Sequence, residues 1–194
     1  MGVYERISDK YCVFIDTESY SDRGVKRLSQ VAIVVTKVHS GGMVLEKSFN
    51  TYKVRKERGI IRRILNEYKD GIFIGNSIRG DLKNIDDVCG TNYSNEVCRV
   101  DFTHSMADGS MGNFMEDAEK TGLAYMNKRL KSSHKEILNG TKVLFGVKKK
   151  DVDELRMHNA MYDVGLMVFI IGLYVDYCTG RERYERITGL KGKG

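Results

Sequence analysis

Proline and tryptophan are absent from this chain of 194 residues, so no proline-rich linker divides it. Cysteine is sparse: Cys12, Cys89, Cys98 and Cys178 lie far apart with no C-x-x-C pair, which argues against a zinc ribbon and against a disulfide scaffold. Such usage fits a reducing intracellular compartment, cytoplasmic or nuclear. Long apolar runs are also missing. The most apolar segment, Val164 to Val175, carries Gly165 and Gly172 and falls short of the ~20 residues that a bilayer span needs, so a buried helix is expected there instead. The start, Met1-Gly-Val-Tyr-Glu-Arg6, is polar and charged, and no secretion signal is expected from it. No internal repeat and no second core is visible. The expectation is one soluble domain over residues 1–180, with a charged, flexible tail over 181–194.

Lys and Arg together number 32 against 26 Asp and Glu, a net charge of +6. That is a moderate bias toward a polyanionic partner, although surface lysines kept for solubility account for it almost as well. Hydrophobic patterning gives the elements in order. Cys12 to Ile15 reads as a short buried strand, and Tyr20 to Arg27 as a polar connection. Leu28 to Val35 reads as a β-branched strand, and Val44 to Val54 as a third after the turn at His39-Ser-Gly-Gly-Met43. Ile61, Ile64, Leu65 and Tyr68 recur at helical spacing within Arg58 to Asp70, with Gly71 as the expected cap and a basic outer face of Arg55, Lys56, Arg58, Arg62 and Arg63. Ile72 to Ile74 is a short strand, and a helix with Leu82, Ile85 and Val88 inward begins near Gly80-Asp81. Val97 to Phe102 is another strand. Leu123, Met126 and Leu130 mark a third helix, Ile137-Leu138 a fourth, and a long final helix runs from about Asn159 to Tyr177. The segment 103–118 gives no clear pattern beyond a lid or a long loop. The fold class is therefore α/β, a mixed sheet of about five strands, the first three antiparallel, flanked by helices.

Asp16 and Glu18 stand two residues apart where the first apolar run ends. Strand side chains alternate between faces, so both project from the same one. Like charges so placed repel, and the pair is either partly protonated or neutralised by a cation. Mg²⁺ prefers a few carboxylate oxygens plus water. Taken alone, Asp16-Thr-Glu-Ser19 reads more readily as a polar turn after a strand, because Asp, Thr and Ser are common strand-ending residues. Asp81 falls in the first turn of its helix, where a carboxylate also suits the dipole.

The order β-β-β-α-β-α-β-α-α matches the ribonuclease-H-like architecture, and three segments make the likeness specific. Phe14-Ile-Asp-Thr-Glu18, Gly75-Asn-Ser-Ile-Arg-Gly-Asp-Leu82 and His158-x-x-x-x-Asp163 resemble, in order and separation, the three motifs of the DEDDh family of 3′-to-5′ exonucleases. The middle motif and Leu123-Ala-Tyr-Met-Asn-Lys-Arg-Leu130 are most similar to its RNA-trimming branch. Two features depart from the pattern: Gly75-Asn76 stands where Gly-His is usual, and the proline expected after the third strand is missing. The resemblance implies phosphodiester hydrolysis from the 3′ end of RNA, or of DNA, releasing nucleoside 5′-monophosphates. It implies two Mg²⁺ or Mn²⁺ ions, which in such enzymes sit about 3.5–4 Å apart. Asp16 would bridge both, Glu18 and Asp163 would complete the site of the ion that carries the nucleophilic water, and Asp81 would hold the other. His158 would be the general base. Thr17, Ser19, Leu28, Asn76 and Arg79 are the candidate substrate contacts. A 3′-end-binding module without catalysis and a DNA-directed exonuclease are the alternatives.

Overall fold

A computed structural model describes residues 3–75, 77–101 and 159–180 of the chain. Within them, α1 (Val3–Ile7) precedes a meander of β1 (Tyr11–Asp22), β2 (Val25–His39) and β3 (Gly42–Thr51). Then come α2 (Val54–Glu67), β4 (Ile72–Gly75), α3 (Ile78–Cys89), α4 (Tyr93–Glu96), β5 (Cys98–Asp101) and α5 (Ala160–Cys178). The five strands form one mixed sheet in the order β3-β2-β1-β4-β5. β1 pairs antiparallel with β2 and parallel with β4.

The sheet is covered on both faces, and the alternation of β1 shows how. Cys12 and Phe14 join the core beneath α1 and α5, whereas Val13 and Ile15 join the core beneath α2 and α3. A strand buried on both sides needs apolar residues at every position, which is why Cys12-Val-Phe-Ile15 is continuous and not alternating. Phe14 is fully buried and packs. α2 sets Ile61, Ile64 and Leu65 inward and leaves its five basic residues exposed. Gly75 matters because of what a side chain would meet there: a Cβ would come within 2.8 Å of the Ile15 carbonyl oxygen. Glycine lets β4 approach β1 immediately before Asp16. No helix among the described residues is long and apolar enough to cross a membrane.

Several boundaries differ from the sequence reading. Tyr20 to Arg27 is not a connection, because β1 and β2 continue pairing to Asp22↔Val25. Asp16 and Glu18 therefore lie inside a strand of 12 residues and do not end it. The turn is Arg23-Gly24, both at positive φ (50° and 78°), the two-residue geometry that follows the twist of a hairpin. α2 starts at Val54, and Tyr68, not Gly71, caps its end. α1 and α4 are short and carry too few residues for a periodic signal to register. The helices expected near 123–138, the segment 103–118 and the tail over 181–194 lie outside the described residues, as do Asn76 and His158.

Candidate metal centre

β1 carries Asp16 and Glu18 on the face that meets α5, and Asp163 lies in the first turn of α5. One carboxylate oxygen from each comes within 4.8 Å of the others. All three side chains are half-buried. Asp16 is pushed up to about 8, first by burial and then by the charges of Asp81, Asp163 and Glu18, while a backbone hydrogen bond at Thr17 acts the other way. Such a cluster holds a proton at neutral pH unless a cation replaces it.

Asp81 approaches from the other side of β1. Ser77 leads into α3 with φ 61° and ψ 40°, a left-handed conformation that costs a serine about 1 kcal/mol or more. Asp81 sits in the following turn, buried, and its Oδ1 accepts from the Thr17 hydroxyl at 2.5 Å. Asn84 Nδ2 donates to the same hydroxyl at 3.0 Å. Burial pushes Asp81 up to about 6, although the Thr17 hydrogen bonds and the charge of Lys26 act to lower it. Its Oδ2 is buried and has no hydrogen-bond partner among the described residues. A buried carboxylate oxygen left unpaired costs several kcal/mol unless a cation takes it. The converging carboxylates, the proton held on Asp16 and the orphaned oxygen of Asp81 together fit divalent cations ligated by oxygen.

The candidate substrate contacts fall differently. The Thr17 hydroxyl is engaged with Asp81 and Asn84. Ser19 and Arg79 are exposed. The β1–β2 register passes from Glu18↔Gln30 to Ser19↔Leu28, leaving Ser29 as a bulge. That extra residue turns Leu28 to the opposite face, where it packs on the core beneath α2 and α3.

One group essential to this geometry is not singled out by the motifs. Gln30, across the ladder from Glu18, is buried and uses its whole amide. Its Nε2 donates to Asn50 Oδ1 at 2.9 Å and to Asn159 Oδ1 at 3.1 Å, and its Oε1 accepts from the Ala160 N–H at 3.1 Å. Asn159 caps α5 through the Met161 N–H at 3.0 Å and donates to the Tyr52 hydroxyl at 2.8 Å. β2 and β3 thus grip the first turn of α5, which carries Asp163. The signal was present in Leu28-Ser-Gln-Val-Ala-Ile-Val-Val35: a glutamine inside a buried run needs partners. Gln30→Ala is expected to cost about 1–3 kcal/mol, the worth of buried partners left unsatisfied. The melting temperature should fall by several degrees, and Mn²⁺ should bind more weakly because Asp163 loses its fixed place. A thermal melt with and without Mn²⁺ checks both, and an unchanged melt would remove Gln30 from the account. Against known proteins, no family model matches this chain and no curated protein matches it.

Proposed function

We propose that this chain is a metal-dependent 3′-to-5′ exonuclease that trims RNA in preference to DNA and releases nucleoside 5′-monophosphates. The observation that carries this reading is the convergence of Asp16, Glu18 and Asp163 within 4.8 Å, with Asp81 buried beside them on α3. The sheet order, with an antiparallel meander followed by two parallel strands, supports the ribonuclease-H-like reading, and the motif resemblance supports the DEDDh assignment. Asp16, Glu18, Asp163 and Asp81 would hold two Mg²⁺ or Mn²⁺ ions, which would supply an activated water and neutralise charge on the phosphate and leaving oxygen. The protein's own part is then one of placement. Thr17 and Asn84 aim Asp81. Gln30 and Tyr52 hold the start of α5, and with it Asp163. His158, next in sequence to the clamped Asn159, takes the proton from the attacking water as a neutral imidazole.

Phosphate contacts carry no information about the sugar, so a preference for RNA must come from the 2′-hydroxyl, which can both donate and accept. One hydrogen bond is worth about 0.5–1.5 kcal/mol, up to roughly tenfold in rate for each nucleotide contacted. Single-stranded RNA should therefore be degraded faster than DNA of matched sequence, with DNA still measurably cleaved and a 3′-phosphate blocking both. End-labelled oligonucleotides digested in Mn²⁺ at one salt concentration, with product sizing, test this. A ladder shortening from the 3′ end, abolished by EDTA, is expected. Equal rates or faster DNA cleavage would move the chain to the DNA-directed branch. Internal cuts would point to an endonuclease of ribonuclease-H type, and binding without cleavage to an inactive 3′-end-binding module.

A further inference from the structure

Past the acidic cluster, β1 and β2 continue as a two-stranded ribbon that neither neighbouring strand accompanies. β3 pairs β2 only from Val31 onward, and β4 pairs β1 only from Cys12 to Phe14. Directly opposed residues of an antiparallel ladder share a face. The pairs Tyr20↔Arg27 and Asp22↔Val25 therefore continue the face of Asp16 and Glu18, whereas Ser21↔Lys26 lies on the side of Asp81. On the first face Tyr20 is 54% exposed and Val25 59% exposed, with the Arg27–Asp22 ion pair (2.9 Å) between them. A lone two-stranded ribbon is marginal in water, and this one displays apolar side chains instead of hiding them. At its tip Arg23 has φ 50°, in a turn where asparagine or glycine would sit without strain. Strain kept for the sake of an arginine asks for something that the arginine does.

Charge narrows the choice of occupant. Residues 19–28 hold Arg23, Lys26 and Arg27 against Asp22, a surplus of two positive charges, beside four carboxylates that would otherwise repel a polyanion. From the rise of roughly 3.3 Å per strand residue, Tyr20 lies about 7 Å beyond Glu18, the reach of roughly two stacked nucleotides at ~3.4 Å each. We propose that this ribbon is a guide for the single-stranded segment upstream of the scissile 3′ nucleotide, with Tyr20 stacking on a base and Arg23, at the tip, meeting a phosphate. The proposal rests on the nuclease reading for the direction of the strand, but its binding test does not.

Binding of a fluorescein-labelled single-stranded oligoribonucleotide is measured by anisotropy in Ca²⁺, without turnover. Hydrolysis of the p-nitrophenyl ester of thymidine 5′-monophosphate, which has no upstream nucleotide, is measured in Mn²⁺. Tyr20→Ala should weaken oligonucleotide binding about 5- to 150-fold, the range for loss of one aromatic stack, while Tyr20→Phe keeps it. Arg23→Asn, which suits the turn, should lower the slope of log affinity against log salt by about one. Ester hydrolysis should be unchanged in all three. Wild-type affinity in Tyr20→Ala and Arg23→Asn, or equal losses on ester and oligonucleotide, would overturn the guide. If the wild type hydrolyses neither substrate yet binds RNA through Tyr20, the nuclease reading fails and the guide stands.

Discussion

Asp16→Asn is expected to abolish phosphodiester hydrolysis while making the metal-free protein more stable at pH 7 to 8. Two effects of one carboxylate are separated by this pair of readouts. On the catalytic side, Asp16 feels the charges of Asp81, Asp163 and Glu18 together. Losing the charge stabilisation of a bound cation, worth several kcal/mol, should lower the rate by roughly 10³-fold or more at 1.36 kcal/mol per tenfold. On the stability side, the folded-state value of about 8 lies above the ~3.9 of an aspartate in an unfolded chain. Between these pH values the native state keeps a proton that the unfolded chain has released, so metal-free stability falls as pH rises from about 4 to about 8. Asp81, pushed up to about 6, contributes the same slope over the lower part of that window. Asparagine cannot ionise, and the Asp16 share of the loss disappears. The melting temperature of Asp16→Asn should exceed that of the wild type above pH 7 by at least about 2–4 °C, the equivalent of 1 kcal/mol in a chain of this size. Mn²⁺ should raise the melting temperature of the wild type and not that of the variant. Near-normal hydrolysis by Asp16→Asn at saturating metal would show that the centre is misassigned.

Local pattern and the energy that fixes each element account for what could be read in advance. The continuous apolar run of β1 reads as a short buried strand, and the helical spacing of Ile61, Ile64 and Leu65 as a helix with one wet side. The antiparallel start of the sheet followed from the turn at His39 to Met43, and the shared face of Asp16 and Glu18 from strand alternation. The length of β1 did not. Ser19, Tyr20, Ser21 and Asp22 have no apolar alternation, and they are strand because their backbones pair with residues 25–28 across a turn whose arginine gives no hairpin signal. The bulge at Ser29 was equally silent, yet it decides that Leu28 packs and that Arg27 and Val25 share the acidic face with Tyr20. The role of Thr17 depends on Asp81 and Asn84, more than sixty residues away in sequence, and no local rule supplies such a contact. Asp86 is a similar case: its carboxylate accepts from the backbone N–H groups of Tyr93 and Ser94 at 2.8 and 2.9 Å, joining α3 to α4 where sequence shows only an acidic residue on a helix.

Replacement of His158 by alanine should lower kcat by about 10²–10⁴-fold, the usual worth of a positioned general base, with little change in metal affinity. The argument begins with helix geometry. Residues five apart on one helix point about 140° away from each other at about 3.6 residues per turn, so a histidine at 158 shares a site with Asp163 only if the helix begins after it. α5 begins at Ala160, and Asn159 is its cap. The grip of Gln30 and Tyr52 on Asn159 then anchors the chain at the residue following the proposed base. A base must be neutral to accept a proton, so the wild-type rate should fall at acidic pH as the imidazole becomes protonated. His158→Ala should lose that acidic limb, and added imidazole should restore part of the rate. The clamp predicts a coupling as well: at saturating Mn²⁺, where the weaker metal binding of Gln30→Ala is offset, Gln30→Ala should lower the rate of the wild type but add little to the loss in His158→Ala, because residues acting as one unit are not additive. Metal titrations on each variant complete the test. If His158→Ala weakens Mn²⁺ binding and regains full rate at saturating metal, the histidine is a ligand and the proton goes elsewhere.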